Sequence, residues 1–157
     1  MKILLCAVGK AHENYVKEGV EDFTKRISRY YPVEWKLLPA ARQPANSTED
    51  DIKKQEASMI LNPLTKEDYL VLLDEKGTQV TSPGLATFIE QRANNSVKQL
   101  IFLVGGAYGV HEQVTKRANY SWSLSPLVFP HQLVRLILSE QVYRACTIIR
   151  NEKYHHV

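Results

Sequence analysis

Two stretches of this chain, Lys2–Val8 and Gln99–Val104, are close to unbroken runs of aliphatic residues. Apolar runs of that length without polar alternation fit strands covered on both faces of a sheet. Such a sheet needs one helix layer above it and another below. The runs therefore point to an α/β fold with a mostly parallel sheet and helices on both faces. The sequence between them supplies the helices. Over 13–31, Tyr15, Val16, Gly19, Val20, Phe23 and Ile27 mark one helical face, and Pro32 closes it. Ser47-Thr48-Glu49-Asp50 offers an N-cap with acids in the first turn, opening a helix to Leu61. Ser82 before Pro83 starts a third helix over 83–94, Glu112–Arg117 is a short fourth, and 131–150 is the longest. Further strands are expected over Val33–Leu38, 69–73 and 120–124, with a polar loop over 40–46. The 157 residues fit one domain, 1–157.

Composition removes several classes. No apolar stretch approaches the ~18 residues of a membrane span, so no membrane partner is expected. The N-terminus, Met1-Lys2-Ile3-Leu4-Leu5, reads as a first strand and not as a signal peptide. Cys6 and Cys146 are the only cysteines, without C-x-x-C spacing, which fits a reducing cytoplasm and no metal knuckle. Net charge is +3, but residues 1–80 hold 12 Lys/Arg against 13 Asp/Glu, while 81–157 hold 8 against 4. The second half also carries four of the five histidines. That surplus suggests an anionic ligand there.

Three segments at expected strand ends carry the site signals. Leu73-Asp74-Glu75-Lys76-Gly77 reads as a turn, and Gly105-Gly106-Ala107-Tyr108-Gly109 links a strand to a helix. The second lacks the spacing of a dinucleotide fingerprint. The third, Leu124-Ser125-Pro126-Leu127-Val128-Phe129-Pro130, is apolar and held by two prolines out of regular structure. Ligands of open α/β sheets sit outside the carboxyl ends of strands, so the three loops are expected to form one pocket for a flat ring.

The last helix is apolar around most of its circumference, from Leu133 through Ile149. Two readings account for this: a homodimer packed through that helix, or a helix wedged between the sheet and the N-terminal helices. His131, Arg135 and Ser139 share one face by four-residue spacing, as do Glu140 and Arg144. His131 reads either as a functional group or as a helix cap, and Glu140–Arg144 either as site chemistry or as an ordinary helix ion pair.

Together these residues resemble a known family. Leu73-Asp74-Glu75-Lys76-Gly77, Val104-Gly105-Gly106-x-x-Gly109, Ser123-Leu124-Ser125, Phe129-Pro130-His131-Gln132-Leu133-x-Arg135, Glu140-Gln141-x-Tyr143-Arg144-Ala145 and Tyr154-His155 are similar to the ribosomal RNA large-subunit methyltransferase H family, of the SPOUT class. The resemblance covers the whole chain, starting from Val8-Gly9-Lys10. It implies a C-terminal trefoil knot that holds S-adenosylmethionine. It also implies a homodimer that methylates N3 of a pseudouridine in the helix 69 loop of 23S rRNA, within assembled ribosomes. No DNA partner is implied. The implied cofactor contacts are Leu73, Gly105, Leu124, Ser125, Pro126, Leu127, Val128 and Phe129. For catalysis, His131 and His155 are the expected proton acceptors, with Arg144 stabilising charge on the base and Tyr143 or Tyr154 stacking on it. Glu140 is expected to position Arg144. Where the family commonly ends in Arg or Lys after Tyr-His, this chain has His156 and then Val157, so no strong phosphate anchor is expected there. Two other functions fit the same pocket: a non-catalytic nucleotide-binding module on the ribosome, and a small flavodoxin-like redox domain.

Overall fold

Both long apolar runs are strands. A computed structural model describes residues 1–42 and 44–156. Gln43, within the loop expected over 40–46, and Val157, after His156, lie outside the described residues. In chain order the elements are β1 (Lys2–Val8), α1 (Asn14–Ile27), β2 (Val33–Leu38), α2 (Glu49–Leu61) and β3 (Tyr69–Gln79), followed by α3 (Ser82–Asn94), β4 (Gln99–Val104), α4 (Glu112–Arg117), β5 (Tyr120–Ser123) and α5 (His131–Ile149). The five strands form one sheet in the order β2-β1-β4-β3-β5, and every pairing is parallel.

The pleat explains the unbroken apolar runs. Ile3, Leu5 and Ala7 of β1 join Ile27 of α1, Leu85 and Ile89 of α3, and Leu138 and Val142 of α5 in one buried layer. The alternate residues Leu4, Cys6 and Val8 meet Ala57 and Ile60 of α2 and Val114 of α4 on the opposite face. Successive side chains of a strand point to opposite faces, so a strand with helices on both sides needs apolar residues at every position. α5 lies between α1 and α3 over the sheet, which accounts for part of its apolar circumference. Leu133 and Ile137, one turn apart on its outer side, are only half-buried and belong to neither buried layer. Among the described residues no helix is long and apolar enough to cross a membrane.

Several boundaries differ from expectation. α1 stops at Ile27, and Tyr30 and Tyr31 both donate backbone N–H groups to the Ile27 carbonyl, closing the helix in a turn before Pro32. α3 is capped by Thr81, whose hydroxyl accepts from the Gly84 N–H, so Ser82 lies inside the helix. The largest difference is β3. Asp74–Gly77 was expected to end the strand, yet pairing with β5 resumes beyond it: Leu73 and Thr78 both face Trp122 across a bulge. The strand order also separates this fold from flavodoxin, in which the third strand lies directly beside the first. Here β4 takes that place.

Candidate active site

β4 between β1 and β3 brings the β3 bulge together with the carboxyl ends of β4 and β5, and the three segments meet there. They line a cleft of about 350 Å³ with an apolar wall from Leu73, Val104, Trp122, Leu124 and Phe129. Of the residues expected to hold a cofactor, Leu73, Gly105, Leu124, Ser125, Leu127, Val128 and Phe129 face it. Pro126 does not; it is exposed and turns the loop, while the Leu127 N–H is held by the Ser125 hydroxyl at 3.0 Å. Trp122, Val110 and Val134 also line the cleft, although their sequence positions gave no functional signal.

The glycine loop is shaped by close contacts. The Gly109 N–H bonds to the Gly106 carbonyl at 3.0 Å, with Gly109 at φ +80°, closing a tight turn that a side chain would strain. A Cβ on Gly106 would lie 2.7 Å from Oε2 of Glu56, a buried carboxylate on α2. On the other side of the cleft, Gly77 sits in the β3 bulge against the backbone of Ser121 and Trp122.

His131 is the first residue of α5, and its side chain lines the cleft. It does not cap the helix: Pro130 occupies the cap position without a side-chain bond. Its neighbours fix where α5 starts. The Gln132 amide accepts from the Glu13 N–H at 2.9 Å and donates to the Ala11 carbonyl. Arg135, almost fully buried, donates to the Lys10 carbonyl at 2.8 Å and meets Nδ1 of His12 at 3.4 Å. Burial, and then the adjacent Arg135 charge, lower the His12 pKa and so favour its neutral ring beside the guanidinium. Arg135, expected to join His131 in a polar cluster, is thus a tie between α5 and the loop after β1.

Tyr143, Arg144 and His155 do not line the cleft. They gather at the other end of α5, where Arg144 bonds to Glu140 and meets Nδ1 of His155 at 3.2 Å. The Tyr154 hydroxyl donates to the same Glu140 oxygen at 3.0 Å. The Tyr143 and Tyr154 rings pack edge to face at 4.7 Å, and Arg144 lies over the Tyr154 ring. Hydrogen bonding to Glu140 pushes the Arg144 pKa up, so this cation persists across the neutral range. From residue 131 to 144 a helix rises about 20 Å, which sets the two groups well apart along α5.

The family model described as "Predicted SPOUT methyltransferase" matches residues 1–155. The chain belongs to the SPOUT methyltransferases. A protein named ribosomal RNA large subunit methyltransferase H, from Cytophaga hutchinsonii, is 45% identical over 156 residues, 99% of this chain and 100% of that relative. Proteins of the same name from Parabacteroides distasonis and Geobacter metallireducens are 43% and 40% identical, each over 99% of both chains. The chain thus falls with them in the ribosomal RNA large subunit methyltransferase H family. Membership implies a methyl-donor cofactor. The apolar wall suits a flat ring, and the glycine loop lets a ligand approach the backbone where a Cβ would intrude.

Proposed function

We propose that this protein uses S-adenosylmethionine to methylate N3 of a pseudouridine in the helix 69 loop of 23S rRNA in the assembled ribosome. The observation that carries the proposal is the single cleft built by the three loops, in a chain of this family. In this reading those loops belong to the trefoil knot. Leu73, Gly105 and residues 124–129 hold the cofactor, whose sulfonium supplies an activated methyl group when bound. The protein's own residues have two further tasks. One is to accept the N3 proton, which falls to His131 at the cleft or to His155. The other is to stabilise negative charge on the base, which falls to Arg144, with Tyr143 or Tyr154 stacking against the ring.

These groups come together in a homodimer. Residues 131 and 144 are symmetric about Ile137–Leu138, the midpoint of that stretch. If two copies of α5 cross antiparallel there, His131 of one chain is level with the partner's Arg144, and the reverse. Half-buried Leu133 and Ile137 supply the apolar contact, and exposed Leu127 and Val128 lie just before the helix. Ile137→Glu is therefore expected to give monomers by analytical ultracentrifugation; a variant that stays dimeric refutes packing through this face.

The function itself is tested by calorimetry with S-adenosylmethionine, followed by methyl transfer to ribosomes from cells lacking the gene. Binding and turnover are both expected. Binding without turnover would instead identify a ribosome-associated module that only holds the nucleotide.

A further inference from the structure

Glu56 is the acid that the site above leaves without a role. It lies on α2, one turn after Ile52 and one before Ile60, on the stripe that packs against the sheet, and it is 7% exposed. No cation among the described residues forms an ion pair with it. Burial raises its pKa, against the opposing effect of the Ala41 backbone. A buried carboxylate without a counter-cation costs stability unless a ligand completes it. Its oxygens lie 2.7 and 3.2 Å from where a Cβ on Gly106 would stand. Gly106 in turn lines the cleft. The glycine therefore brings the carboxylate to within one backbone thickness of the ligand space.

We propose that Glu56 is the counter-charge of the cleft and makes it prefer a cationic ligand over its neutral counterpart. This inference rests on the reading of the cofactor as S-adenosylmethionine, which carries a net positive charge through its sulfonium. S-adenosylhomocysteine, left after methyl transfer, is a thioether without that charge. An ionised Glu56 behind Gly106 favours the first over the second and so assists product release, and the sulfonium in turn favours the charged form that burial opposes. Asp74 and Glu75 also line the cleft, but Glu75 is exposed and Asp74 is only partly covered, so water and salt screen them. Glu56 is shielded from solvent, and its field across the few ångströms of backbone is stronger.

The test uses Glu56→Gln, which keeps the shape but removes the charge. Both ligands are titrated calorimetrically into the wild type and the variant, with Glu49→Gln, an exposed acid of α2 outside the cleft, as a control. For Glu56→Gln, S-adenosylmethionine is expected to bind about tenfold more weakly, while S-adenosylhomocysteine changes by less than about twofold. Glu49→Gln should change neither by more than about twofold. The unfolding temperature of Glu56→Gln should equal or exceed that of the wild type, because the desolvated charge is gone. Equal weakening of both ligands, no weakening of either, or a variant that does not fold overturns the proposal, since each makes Glu56 a structural support of the loop or a bystander. A wild type that binds neither ligand overturns the cofactor reading itself, a result distinct from the others.

Discussion

Co-expressed His131→Ala and Arg144→Ala chains are expected to recover about a quarter of wild-type methylation, although each variant alone has lost about a hundredfold or more. The reason is the separation of the two residues along α5. His131 lines the cleft at the helix start, while Arg144 is tied to Glu140 and His155 at the far end. If each reaction centre takes its cleft from one chain and its arginine from the other, a mixed dimer has one centre with both lesions and one with neither. Random pairing makes about half of the dimers mixed, so about one centre in four is intact. Single-turnover methyl transfer on ribosomes by the co-expressed mixture measures this, and mixed dimers isolated by two affinity tags should reach about half of the wild-type level. Mixed dimers without activity would place both residues in the same subunit's chemistry.

Gly77→Ala is expected to be the most damaging small substitution in the chain. A Cβ there would stand 2.7 Å from the carbonyl carbon and oxygen of Ser121 and 2.8 Å from that of Trp122. These are backbone atoms of the strand that closes the sheet, so no side chain can swing aside. Pushing β5 away also moves Trp122, Leu124 and the loop that follows. The expected loss is about 3 kcal/mol, seen as a fall of roughly 10 °C in thermal midpoint. Binding of S-adenosylmethionine should fall with it. Gly19→Ala makes the instructive contrast, because its nearest clash is the movable end of Leu136. Equal, small effects in the two variants would show that the β3–β5 contact is looser than its geometry.

Much of this was legible in the sequence. β1 and β4 announce themselves because burial on both faces leaves no room for a polar residue. The cleft follows from rules about parallel sheets, since two of its three segments are strand ends rich in glycine or proline. What escaped depends on partners distant in the chain. β3 resumes after Asp74–Gly77 because β5 offers a second place to pair, and nothing local encodes that. Thr81 rather than Ser82 caps α3, a one-residue choice set by how the helix docks. The grouping of His131 with Arg135 failed for a similar reason. Equal spacing on a helix does not tell a cleft-facing side chain from one buried against the loop after β1. Glu56 did leave a trace, as a lone acid between Ile52 and Ile60 at four-residue spacing. Its meaning needed the glycine on another strand end.

The central claim is that this chain methylates one base of the large-subunit RNA. Mass spectrometry of the helix 69 fragment of 23S rRNA tests it most directly, comparing cells with the gene, without it, and with an Arg144→Ala copy restored. The expected result is a methylated pseudouridine in the first, the unmethylated base in the second, and little or no recovery in the third. A methylated base that persists without the gene would contradict the account.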